Sequence, residues 1–216
     1  MHRALTRVFL EISAHRCWGR FLGASLAIMG QIVYETATSL DGYLADQHNS
    51  LSWLFAVPDG DDPQLAPPRA AVQVMGSTTY EWVLDELGAL EKMDAWGTAM
   101  PDVITVVFTS RDLPAPGDAD IRFMSGDVAA ALPQLRELAG DGIIWVVGGG
   151  GLASQFITAR ALNEIVLSVA PVALVEGAPL LGQRIESDRL ILVEAQQIGQ
   201  FARLRYRLTY PGQDQG

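Results

Sequence analysis

Four consecutive glycines, Gly148 to Gly151, stand between a five-residue apolar run, IIWVV (143–147), and a helix-like segment, GLASQFITAR. Residues without Cβ at a strand-to-helix junction let a phosphate approach backbone N–H groups at the positive end of a helix dipole. A tight turn with close helix packing asks for the same residue, so the run alone admits both explanations. Gly148-x-Gly150-x-x-Ala153 formally fits the dinucleotide fingerprint of the Rossmann fold. That fingerprint opens its domain and is followed by further βα units, with an acid about 20 residues on. Here one strand and a hairpin follow, which disfavours a Rossmann-type NADH dehydrogenase.

The rest of the chain alternates strands and helices from residue 31 onward. QIVYETAT (31–38) reads as a strand ended by turn chemistry at Asp41-Gly42, and AAVQVMG (70–76) as a second, followed by a helix to about Leu87. DVITVVFTS (102–110) is too apolar for one solvated face and reads as central. IRFM (121–124) is a short strand. The helix DVAAALPQLRELAG follows, capped by Ser125 or Asp127, with Pro133 expected near its first turns. ALNEIVLSVAPV returns as a strand, and RLILVEAQQI with FARLRYRLT closes a hairpin around Gly199 and Gln200. Strands spaced by helices predict an α/β fold of three layers, α/β/α, whose largely parallel sheet carries an antiparallel edge. The Pro- and Asp-rich stretch from Asn49 to Pro68 exceeds an ordinary connection. It reads either as a substrate-facing lid or as a surface excursion packed down by Trp53 and Phe55.

Charge divides the chain of 216 residues at about residue 30. The first thirty carry +3 and the remainder −13, for a net charge of −10. Residues 1–30 are read as an extension dispensable to the fold, 31–210 as a single domain and 211–216 as a tail. An export signal with the apolar run FLGASLAIM, or a basic amphipathic helix with Leu5, Val8, Phe9 and Ile12 on one face, are the competing readings of the leader. So acidic a chain does not track nucleic-acid phosphates, and no apolar run has the length of a membrane span. One cysteine, Cys17, and three histidines leave no disulfide framework and no zinc cluster of the usual spacing, which reads as a cytoplasmic protein with no metal.

Two further junctions carry chemistry. Thr109, Ser110 and Arg111 leave the carboxyl end of the apolar strand, the edge where ligands gather in open α/β sheets, and a guanidinium forks onto phosphate oxygens. An arginine leaving a strand is also commonly just solvated. Gly76, Ser77, Thr78 and Thr79 form a second strand-to-helix junction, or an ordinary helix cap. There is no nucleophile elbow and no Walker loop, the only lysine being Lys92. Phosphate cradles without a strong nucleophile point to a cofactor that brings its own reactivity.

The ordered set TATSLDGYLAD, VMGSTTYEW, VVFTSRDLP, VVGGGGLASQF and APVALVEGAPLLG resembles the dihydrofolate reductase-like superfamily. Within it the chain is most similar to the reductase domain of bacterial riboflavin biosynthesis (the RibD C-terminal domain) and its stand-alone relatives, over about residues 31–209. The resemblance implies a mixed eight-stranded sheet, commonly a homodimer, binding NADPH across the carboxyl ends of the strands. It implies that Gly148, Gly149, Gly150 and Gly151 hold the pyrophosphate with Leu152 nearby, and that Gly76, Ser77, Thr78 and Thr79 cap a helix across that bridge. Thr109, Ser110 and Arg111 would meet the 2′-phosphate, and Ala37 and Thr38 would lie near the nicotinamide. Ser39 and Trp53 are then the candidate substrate contacts, and Asp41 or Asp59 the candidate proton donors. A turn at Asp41-Gly42 and a solvated Asp59 are the structural alternatives. Ser77 stands where many relatives carry an arginine, and the acids after Trp53 do not match the spacing of the folate-reducing members. The reading is an NADPH-dependent reductase of a small, pteridine- or pyrimidine-like heterocycle, with a catalytically silent nucleotide-binding protein as the alternative.

Overall fold

The computed structural model describes residues 30–212 apart from Met93 and Asp118; the leader and the last four residues, on which sequence expectations also fell, lie outside the described residues. Ten strands are present among the described residues: β1 (Ile32–Thr38), β2 (Tyr43–Ala45), β3 (Val72–Gly76), β4 (Ile104–Phe108), β5 (Ile121–Met124), β6 (Ile144–Gly148), β7 (Glu164–Val169), β8 (Ala178–Pro179), β9 (Leu190–Ile198) and β10 (Phe201–Leu208). Five helices accompany them: α1 (Ser52–Phe55), α2 (Ser77–Leu87), α3 (Ala95–Ala99), α4 (Val128–Ala139) and α5 (Gly150–Thr158). Eight strands form one sheet in the order β5-β4-β3-β6-β1-β7-β10-β9, and β2 pairs with β8 beside it. Strands β5 to β7 of that order run parallel, while β10 is antiparallel to both its neighbours. The expected mixed eight-stranded sheet with a C-terminal antiparallel hairpin is what forms.

Period-two alternation decides which face each residue serves. Ile32 and Tyr34 on β1, Val72 and Val74 on β3, and Ile144 and Val146 on β6 bury against α4 and α5, with Val128, Leu135 and Phe156 completing that core. The intervening residues face the other way. There Met75 and Val107 pack with Tyr80, Val83, Leu84 and Trp96 of α2 and α3. Over β1, β7 and β10 that second face has no long helix. It is roofed by the 46–67 segment, which is anchored where Trp53, Leu54 and Val57 meet Ala170 and Phe201.

Pro133 sits at the sixth of twelve positions in α4 rather than in its first turns. The cap expected at the start of this helix is Asp127, whose carboxylate accepts the Ala129 N–H at 2.9 Å. Sequence reading missed α3 and the β2–β8 pair, because two to five residues carry no usable periodicity.

The chain order creates a crevice. Strands β3 and β6 are parallel neighbours, yet the helices that follow them leave to opposite faces: α2 returns toward β4 and α5 toward β7. Such a switch point opens a gap at the carboxyl ends of the strands.

Candidate active site

A cavity of about 1180 Å³ occupies this gap and extends over the second face of the sheet. At one end, two helix N-termini converge on it. Helix α2 begins after Gly76 and α5 after Gly149, and neither has a side-chain cap, whereas α4, away from the cavity, does. Gly76, Ser77, Thr78, Thr79, Gly148, Gly149, Gly150, Gly151 and Leu152 all line it, as does Ala37 from β1. Uncapped N–H groups of two helices facing one space make an anion cradle.

The four glycines have different duties. A Cβ on Gly150 would lie 2.4 Å from the Pro179 carbonyl oxygen and 2.5 Å from that of Leu180, so this glycine is required by backbone packing. A Cβ on Gly149 would meet only the Leu44 side chain at 4.0 Å, and one on Gly151 would meet nothing. The Gly148–Gly149 peptide is cis. Tight packing therefore accounts for Gly150 but not for Gly149 or Gly151.

Several expected site residues lie elsewhere. Thr109, Ser110 and Arg111 follow Phe108, which lines the cavity, but are not themselves part of its lining. Arg111 is held by Glu81 through two hydrogen bonds of 3.0 and 2.5 Å at an exposed position. Thr38 is buried and donates to the Ser39 and Tyr43 carbonyls. Ser39 and Asp41, expected as substrate contact and proton donor, lie outside the cavity and tie loops together. Ser39 Oγ donates to Asp41 Oδ1 at 2.6 Å, and the Leu174 and Val175 amides donate to the same carboxylate at 3.1 and 2.7 Å. The Ser39 hydroxyl and these amides hold the Asp41 carboxyl down from 3.8 to about 2. Trp53 packs beneath the roof, its indole N–H buried without a partner, and is not in the lining; Asp59 is.

The far end of the cavity holds a group that sequence reading missed. Ser168 on β7 sits opposite Ala37 on β1 and Arg203 on β10, so the three share one face, as does Glu35 two residues before Ala37. Arg203 donates to Glu35 Oε1 at 2.5 Å and to Ser168 Oγ at 3.1 Å. The Glu35 and Arg203 side chains are only 9% and 16% exposed, and both line the cavity. Burial pushes the Glu35 carboxyl up, against the pull of Arg203 and Arg205. The Trp145 indole N–H donates to the Glu35 carbonyl at 2.9 Å and forms part of the floor. The signal available in the sequence was one acid inside the apolar run IVYETAT and the alternating arginines of FARLRYRL.

A crevice at a switch point, lined by two uncapped helix N-termini, places the molecule among open α/β proteins with a cleft at their strand ends, where such folds receive ligands. The chain matches the family model for the RibD C-terminal domain over residues 31–202 and belongs to that family. It is similar to the uncharacterized protein YwjB of Bacillus subtilis, with 28% identity across 81% of this chain and 95% of that one. Among solved structures, a Shewanella sp. PV-4 protein named for riboflavin biosynthesis superposes with a TM-score of 0.66 at 21% identity, over 83% of this chain and 99% of that one. The Enterococcus faecalis dihydrofolate reductase, solved with NADP(H), gives 0.56 at 14% identity, over 85% and 99%. The fold is therefore dihydrofolate reductase-like. Among the described residues no helix is long and apolar enough to cross a membrane, and no cluster of three or more metal-ligating side chains occurs.

Two outcomes test this geometry. Gly149→Val should leave the melting temperature nearly unchanged while abolishing dinucleotide binding, whereas Gly150→Ala should destabilise the fold with no ligand present; calorimetry with and without NADPH separates them. A carboxylate with a lowered pKa stabilises above its unfolded value and loses that contribution as pH falls through the folded one. The Leu174 and Val175 amide resonances should accordingly titrate near pH 2, and a midpoint at the ordinary 3.8 would detach Asp41 from this loop.

Proposed function

We propose that the protein is an NADPH-dependent reductase that transfers hydride to a small, pteridine- or pyrimidine-like heterocycle. The observation that carries this reading is the single cavity joining the paired helix N-termini to a buried carboxylate on the same sheet face. The cradle fits a dinucleotide: Gly149 and Gly151 leave open space where phosphates would approach, and Ser77, Thr78 and Thr79 add donors beside them. Bound NADPH would supply a hydride from its nicotinamide ring.

The chain's own residues would do the rest. Ala37, with its small side chain, would leave room for a ring above β1. The 46–67 roof, with Leu51, Leu54 and Phe55 on its underside, would keep water from the reacting atoms. Leu152 and Val147 would pack the wall between cofactor and substrate. Arg111, one turn of chain beyond the cavity, would exchange Glu81 for a 2′-phosphate, since a guanidinium binds either anion bidentately. Asp59, on the rim, is retained as a candidate proton donor. We place the protein in the cytoplasm, on its reduced cysteine usage and acidic composition.

Titration of the full chain with NADPH and with NADH, followed by thermal unfolding, tests the reading. A ligand at a hundred times its dissociation constant adds about 2.7 kcal/mol of stability. NADPH should stabilise more than NADH. Arg111→Ala should weaken NADPH on the order of tenfold while leaving NADH unchanged. Equal losses for both would remove Arg111 from the site, and no stabilisation by either dinucleotide would remove the cofactor.

A homodimer is part of the proposal. Strand β9 is an edge, exposed on both faces, with Ile191, Leu192 and Val193 at 41, 53 and 52% exposure. An unpaired edge carrying apolar side chains is a surface for a second copy. Sedimentation should give twice the chain mass, and Leu192→Lys should return it to the monomer; a monomeric wild type would refute the pairing.

A further inference from the structure

We propose that the substrate end of the cavity takes a planar nitrogen heterocycle that is neutral or cationic, bears an N–H donor for Glu35, and carries no phosphate or carboxylate. This rests on the reductase reading for the identity of the site, and it goes further by fixing the charge and hydrogen-bonding character of the substrate.

The inventory of charges in the lining is the first observation. Glu35, Asp59 and Asp61 face the cavity with Arg203 as the one cationic side chain among the described residues that line it. That arginine is committed: Nη2 bonds Glu35 and Nη1 bonds Ser168. Arg205, next along β10 on the same face, is bound by Glu164 at 2.7 Å and Glu194 at 3.4 Å and does not line the cavity. Arg69, just beyond the roof segment, does not line it either. An anionic group brought here would be desolvated next to carboxylates with no free cation to receive it, which is costly.

Unused acceptors are the second observation. Glu35 Oε1 takes the arginine, but no described donor reaches Oε2, and that atom is not sealed from the cavity. Gln73 turns its amide nitrogen to Thr105 Oγ1 and to Met100 Sδ, each at 2.7 Å, and its carbonyl oxygen, which no described donor reaches, is likewise not sealed. Both residues line the cavity, with the Trp145 ring between their strands on the sheet's second face. Two acceptors open to the cavity, with a flat apolar surface between them, suit a ring that supplies N–H groups at its edge. Glu35 therefore reads a donor, and Arg203 is a positioning residue that fixes the carboxylate's orientation.

The test uses the full chain, 2,4-diaminopyrimidine as probe and 2,4-diaminopyrimidine-5-carboxylate as its anionic counterpart, each titrated by ligand-observed NMR with and without NADPH. The neutral ring should bind at least tenfold more tightly than the carboxylate. Glu35→Gln, which keeps shape and a hydrogen bond to Arg203, should weaken the neutral ring tenfold while leaving the carboxylate unchanged or improved. Asp85→Asn, on an exposed position of α2, serves as the control and should change neither. Equal or tighter binding of the carboxylate, indifference of the diamine to Glu35→Gln, or no binding of the diamine to its solubility limit would each overturn the proposal. NADPH binding is scored separately. If the diamine binds through Glu35 but NADPH does not bind, the reductase reading fails and the inference stands. If NADPH binds and Glu35→Gln changes nothing, the reverse holds.

Discussion

The backbone of Gly150 passes so close to the carbonyls of Pro179 and Leu180 that no side chain fits between them, and the cavity's shape depends on this contact. It is locked by its neighbours. Ser154 Oγ donates to the Gly150 carbonyl at 2.8 Å and accepts the Gly182 amide at 2.9 Å, and the buried Tyr34 hydroxyl donates to the Leu180 carbonyl at 3.0 Å. Upstream, Asp41 grips the amides of Leu174 and Val175, and Gly177 crosses Ala45 where a Cβ would stand 2.0 Å from its carbonyl oxygen. Residues 174–182 thus form a strap fastened at both ends across the mouth of the sheet. The α5 N-terminus is packed directly against this strap at Gly150.

Much of the frame was legible because it is written in periodicity and punctuation. The apolar runs of β1, β3, β4 and β6 and the glycines after β6 carry the sheet and its switch point, and they can be read one segment at a time. What escaped depends on residues far apart in the chain. Glu35 and Arg203 are 168 positions apart and meet because β7 intervenes between their strands in register, a fact that no local window contains. Asp41-Gly42 was legible as a turn, but the use of its carboxylate on amides more than 130 residues away was not. Trp53 was a candidate ligand contact through the family resemblance. Its place under the roof follows from Val57, Ala170 and Phe201, which only the folded chain assembles.

The two ends of the cavity hold charge by different means. At the glycine end any attraction is made of backbone dipoles, with no full charge among the lining residues there, so an anion would meet no opposing ion pair to break. At the other end a carboxylate and a guanidinium neutralise each other in a buried setting, where removing either would leave an uncompensated charge costing about 3 to 5 kcal/mol. The exposed Arg111–Glu81 pair lies outside both and, screened by solvent, contributes little to stability, which leaves its arginine free to change partners.

Because the glycine end is built from main chain, its geometry tolerates replacement of most surrounding side chains so long as glycine persists at the crossing with residues 179–180. The opposite end is written in the side chains of β1, β3, β7 and β10, where one substitution changes which molecule fits. A lineage built this way can keep one cofactor while its members drift to different substrates. Overall identity between two of them, such as the 28% seen with YwjB, is then a poor guide to shared chemistry, and the residues aligned with Glu35, Gln73, Ser168 and Arg203 are a better one.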